Sequence, residues 1–224
     1  MVTKQIEPTF KSVIFTTKNH LKHLFNKEDL MMAINLEKGQ KINLQKADGS
    51  SLQQIFLGVG WDVAKSKGFL GFGGGSADID LDASVILFDE NKQVVDVVYF
   101  GQLRSKDGSI THSGDNLTGA GEGDDEIIRV NLTQVPSQVK SLVFTVSSFR
   151  GQTFEKVENA FCRLVDQASN QQIASYKLSS QGGHTGLIIA KIYRHNDAWK
   201  MHAIGENVHG RTFQDIVPYV LPHI

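Results

Sequence analysis

Cysteine and long apolar runs are scarce in this chain, and each scarcity excludes something. Cys162 is the only cysteine among 224 residues, so no disulfide forms within the chain, which fits a reducing compartment. It lies in the apolar run NAFCRLV beside no activating partner, and it reads as a small buried hydrophobe, not a nucleophile. No stretch approaches the roughly 20 apolar residues of a membrane helix. The N-terminal MVTKQIEPTFKSVIFTTKNHLKHLF lacks the continuous apolar core of a signal peptide, so the expected location is cytoplasmic. A net charge of -1 leaves no basic face for direct nucleic-acid binding. The glycine-rich KGFLGFGGGS, Lys67 to Ser76, has no lysine and hydroxyl pair at P-loop spacing. It reads as a loop and not as a phosphate cradle.

What is present is mostly strand signal. From Lys41 onward, short β-branched or alternating runs are separated by Gly, Asn and Asp: KINLQ, QIFLGVG, ASVILF, VVDVVYF, IIRVNL, SLVFTVSSF, AFCRLV, IASYKL, GLIIAKIY and WKMHAI. Ten such runs without helical periods between them predict an all-β domain, an antiparallel β-sandwich with short terminal helices. YRHNDAWK reads as a hairpin with His195 to Asp197 at its tip. GRTFQDIVPYVL predicts a short C-terminal helix limited by Pro218. Residues 1–31 read as an N-terminal appendage with a helical stripe of Val13, Ile14, Leu21, Leu24 and Phe25. Residues 32–224 read as the sandwich domain.

Acidic residues are unevenly spread. Twelve of the 24 acids lie between Asp78 and Glu126, against three bases. Within that span HSGDNLTGAGEGDDE, His112 to Glu126, packs five carboxylates and four glycines into fifteen residues. Asp78, Asp80 and Asp82 recur at i, i+2 and i+4, which in an extended segment puts them on one face about 6.5 Å apart. Adjacent pairs would repel by about 2–3 kcal/mol at an effective dielectric near 20, directly before a strand that should be buried. A divalent cation would relieve this. Carboxylates, Asn116, loop hydroxyls and loop carbonyls form an all-oxygen donor set, which suits calcium or magnesium. A long glycine-flexed loop favours the more tolerant calcium. Neither acidic segment is an EF-hand: Ala83 occupies the first segment's glycine position, and Leu117 and Gly119 occupy ligand positions of the second. Only His112 lies near the acids, and the histidines read as surface residues. Trp61, beside Asp62, reads either as shaping the site or as a core aromatic. Arg150 in SFRGQTF reads as a loop residue.

Four motifs together, GVGWD (Gly58 to Asp62), IDLDAS (Ile79 to Ser84), HSGDNLTGAGEGDDE and YRHNDAWK, resemble the bacterial TerD family of tellurium-resistance and general stress proteins. GGGSADIDLDAS and SFRGQTFEKVENAFCRLVDQ are most similar to its TerZ branch. The resemblance covers the chain from about Met32 and implies a calcium-binding β-sandwich without established enzymatic activity. It places the metal ligands at Asp62, Asp80, Asp82, Asp115, Asn116, Asp124, Asp125 and Glu126. Asp78 joins them, with Thr118 and Gly121 of the glycine loop as further oxygen donors. Glu122 stands where the family often has aspartate. The implied partners are other proteins of a resistance or stress assembly, with indirect membrane association left open and the oligomeric state unspecified.

Two other classes of function compete with this reading. Asp-x-Asp pairs also hold metals in phosphoryl and glycosyl transferases, but the chain offers no separate base and no Lys/Arg cluster for phosphates. A purely structural cation site in a protein that acts elsewhere on its surface is the other.

Overall fold

In the computed structural model, residues 33–46, 48–63, 80–114, 123–178 and 182–224 are described. The appendage at 1–31, the loop Lys67–Ser76 and the ligand candidates Asp78, Asp115, Asn116, Thr118 and Gly121 lie outside them.

All ten predicted strand runs form strands. They are β2 (Lys41–Asn43), β3 (Gln54–Val63), β4 (Leu81–Phe88), β5 (Val94–Val98), β7 (Glu126–Asn131), β8 (Ser141–Ser148), β9 (Val157–Asp166), β10 (Gln171–Lys177), β11 (Gly186–His195) and β12 (Ala198–Val208). Two three-residue strands complete the set, β1 (Ile34–Leu36) and β6 (Ile110–His112), both too short for a periodic signal. They assemble into two six-stranded sheets, β1-β10-β9-β3-β7-β6 and β2-β12-β11-β8-β4-β5. Every pairing is antiparallel except β1 with β10, which is parallel. Between the sheets lies one core that includes Ile55, Leu57, Val85, Phe144, Leu164 and Ile192. Cys162 belongs to it, 1 % exposed, and burial pushes its thiol up to about 12, so it is protonated and inert at neutral pH.

β4 and β8 are buried along their whole length, for a reason their sequences show. Leu81, Ala83, Val85 and Leu87 face the inter-sheet core. The alternate residues Ile86 and Phe88 face outward into a second apolar cluster with Val143, Ile188, Ile216 and Val220. The last two belong to helix α1 (Phe213–Val220), which covers this outer face. A strand covered on both faces reads as a continuous apolar run. Thr212 caps α1, and its reciprocal bonds with Asp215 form a capping box, worth about 0.5–2 kcal/mol.

Pro218 does not limit the helix as predicted; α1 continues two residues beyond it. The proline, in the C-terminal half of the helix, forgoes a single helical hydrogen bond, and burial of Ile216 and Val220 outweighs that loss. The YRHNDAWK hairpin forms, with Asn196 and Asp197 at φ 47° and 60° as the two-residue loop and His195 paired with Ala198. Asn and Asp tolerate these left-handed angles, and two in succession match the strand twist.

Candidate metal centre

The acids converge on the end of the sandwich where β3 finishes, β4 and β7 start and β6 stops. Two glycines of β3 make that convergence physically possible. A Cβ on Gly58 would lie 2.2 Å from the Asp124 carboxyl carbon, and one on Gly60 would lie 2.6 Å from the Gly123 carbonyl oxygen. The alternating glycines of GVGWD therefore clear a trough for the chain entering β7. Asp124 crosses it to Arg163 on β9, accepting two hydrogen bonds at 2.7 and 2.8 Å. The guanidinium in turn stands 5.5 Å from the Phe56 ring centre.

Neighbouring acids take other directions. Asp125 accepts the Trp61 backbone N–H at 2.8 Å. Glu126 has no exposed surface and turns inward, accepting the Ala83 N–H at 2.7 Å. β5 pairs with β4 only from Val85 onward, so Ala83 lies beyond the paired edge. Glu126 and His112 stand in for the missing strand. His112 Nε2 lies 3.2 Å from the Ala83 carbonyl oxygen and 3.4 Å from the Glu126 carboxylate, while its Nδ1 accepts the Gly114 N–H at 3.1 Å. That acceptor role leaves the proton on Nε2, facing both oxygens. The expectation that the histidines are surface residues is therefore corrected at His112 and at His184, which are 7 % and 6 % exposed. His112 follows a β-branched run and has the local pattern of a strand end, but its burial depends on β4, almost thirty residues away.

Asp80 and Asp82 flank Leu81 at the start of β4, each 5 % exposed. Arg150, expected to be a loop residue, sits 3.1 Å from Asp80. Asp62, at the end of β3, accepts from the Asn159 side chain at 2.8 Å. Asn159 and Arg163 had no sequence signal linking them to the acids; their spacing of four in β9 gains meaning only through the β3–β9 register. Trp61 is a core residue, 3 % exposed; the contact it makes with the acids is through its backbone.

The electrostatic balance at this end is unfavourable at Asp125. Burial raises its carboxyl above the usual value; the Trp61 N–H pulls the other way, and Asp62, Glu126 and Asp124 push it further up. The described donors are oxygens, which suits a hard cation. Among the described residues no three His, Cys, Asp or Glu side chains form a complete metal-holding group.

A TerD domain model matches residues 32–218. Tellurium resistance protein TerZ of Serratia marcescens is 48 % identical over 184 residues, covering 82 % of this chain and 94 % of its own. Stress response protein SCP2 of Bacillus subtilis is 42 % identical over 196 residues, covering 83 % and 98 %. A crystal structure described as a homologue of telluride resistance protein (TerD) from Streptomyces coelicolor A3(2) superposes with a TM-score of 0.61. It is 18 % identical and covers 75 % of this chain and 96 % of that one, a likeness of fold.

Proposed function

The chain belongs to the TerD domain family of tellurium-resistance and general stress proteins, and on that premise we propose a calcium-binding, non-enzymatic module that works through protein partners. The observation that carries the reading is the crowding of Asp125 by Asp62, Asp124 and Glu126 beside the buried Asp80 and Asp82. Carboxylates held close in a half-buried place are stabilised by a cation. Asp80, Asp82 and Asp125 would hold the ion together with Asp78, Asp115, Asn116, Thr118 and Gly121. Asp62, Asp124 and Glu126, whose partners are Asn159, Arg163 and Ala83 with His112, would join only in competition with those bonds. When bound, calcium supplies positive charge that links segments distant in sequence. Among the described residues no helix is long and apolar enough to cross a membrane.

Calorimetric titration with calcium tests the reading directly. We expect binding heat, and a stabilisation of about 2.7 kcal/mol at a hundredfold excess over Kd. Magnesium at equal concentration should stabilise less, and Asp82→Asn should weaken calcium binding. Absence of heat, with melting curves identical in calcium and chelator, overturns it. Affinity purification with and without chelation tests the partner half of the proposal.

A further inference from the structure

The outer face of the second sheet changes character along β4. Where α1 covers it the residues are aliphatic or aromatic, Ile86, Phe88, Val143 and Ile188. One step toward the strand's start, on the same face, stand Ser84 and Asp82, with Ser147 opposite Asp82 on β8. These three form the floor of a cleft of about 270 Å³. Ser84 and Ser147 are 3 % and 4 % exposed, so both side chains are buried and open only onto the cleft. Both residues line the cleft, where a hydroxyl can donate to or accept from a ligand.

The walls are aromatic. Tyr99 and Phe100 pack edge to face at 5.3 Å and 80°, and Phe100 and Phe149 at 5.5 Å and 75°. Phe213, at the start of α1, closes the ring against Tyr99 at 5.0 Å. Phe149 is 47 % exposed, so its ring presents open apolar surface at the cleft. Arg211 stands at the rim, donating through Nε and Nη2 to the Phe149 carbonyl at 3.0 and 2.9 Å. A guanidinium has five N–H donors, so others remain for a ligand.

We propose that this cleft binds one sugar-like ring, a neutral polyhydroxylated molecule about the size of a monosaccharide. The volume lies just below the range of about 300–1,000 Å³ for drug-sized ligands, which suits one ring and not a chain. Serine hydroxyls both donate and accept, as the hydroxyls of such a ring require. The carboxylate at the floor accepts, the arginine at the rim donates, and aromatic faces pack the ring's C–H surface. With no ion on Asp82, the floor carboxylate and the rim guanidinium of Arg211 carry opposite charges, which a neutral polyol satisfies together. The cleft shares Asp82 with the proposed metal ligands, whereas the serines, the rings and Arg211 belong to it alone, so titration in chelator separates polyol binding from calcium binding.

The test is amide-resolved NMR titration of the full chain with D-glucose, D-ribose and myo-inositol, with tetramethylammonium chloride as the cationic control. At least one polyol should shift the signals of Ser84, Gly101 and Ser147 saturably. Phe149→Ala should weaken that binding by about tenfold, and Ser84→Ala with Ser147→Ala should reduce it further, since a hydroxyl-reading site discriminates through its hydrogen bonds. Phe149 is half-exposed, so its variant keeps the test decisive even where the double serine variant fails to fold. No saturable shift with any of the three polyols overturns the proposal. Unchanged affinity in a folded Phe149→Ala protein overturns it too, as does a stronger response to tetramethylammonium at the same amides.

Discussion

Asp96 and Asp125 stand at the margins of opposite sheets, and burial raises the carboxyl of both, yet the net results are opposite. Asp96, 7 % exposed, accepts the Lys106 N–H at 2.8 Å and the Gln102 amide at 2.9 Å. Those bonds, with the Val97 N–H and the Lys106 charge, more than offset burial and hold it below the usual value. Asp125 has the Trp61 N–H on one side and three carboxylates around it, and it ends above the usual value. A carboxylate completed by donors is part of the scaffold. One ringed by carboxylates carries a mutual repulsion that positive charge would relieve.

Glu126 stands on the border between the two kinds and gives the largest expected effect. It is one of the like charges around Asp125, but its bonds to Ala83 and His112 resemble those of Asp96. Glu126→Ala should destabilise the protein by about 3 kcal/mol, because the buried Ala83 N–H loses its acceptor and the His112 imidazole loses the carboxylate it faces. Urea unfolding measures this, and a stabilised variant would move Glu126 to the repulsive class.

Asp96→Asn comes next, with an expected loss of about 1–2 kcal/mol at neutral pH. The folded-state pKa of Asp96 is depressed, so its contribution is present above the ordinary 3.8 and is lost as pH falls through the lower folded value. The gap between wild type and variant should therefore close under acid. A gap that persists there would break the comparison.

Asp125→Asn should have the smallest effect and the opposite sign. Its folded pKa is raised, so stability is full below 3.8 and falls as pH rises through the raised value. At neutral pH in chelator, the amide keeps an acceptor for Trp61 and removes the repulsion. A rise in melting temperature of about 1–2 °C is expected, modest because solvent screens a half-exposed group. The same variant should respond less to calcium than wild type does. A melting point lowered in chelator would show that the carboxylate charge itself stabilises the turn.

Much of the fold was legible along the chain because alternation and turn chemistry are local. The ten strand runs, the hairpin tip at His195 to Asp197 and a short helix within GRTFQDIVPYVL each follow from a few neighbouring residues. β1 and β6 were not legible, since three residues carry no period and each exists only because a partner strand offers an edge. Of the candidate site, the sequence disclosed which carboxylates are dense and which glycines accompany them. It did not disclose that Gly58 and Gly60 clear the path of Asp124, or that Arg150, Asn159 and Arg163 are the partners of three of those acids. Nor did it show that Ser84 and Ser147 share the floor of one cleft. By itself the sequence determined composition, periodicity and turns, which are properties of neighbours in the chain. The tertiary structure decided which acids are satisfied and which are crowded, because Coulomb energy and hydrogen bonding depend on separation in space, and strand register brings together residues a hundred positions apart.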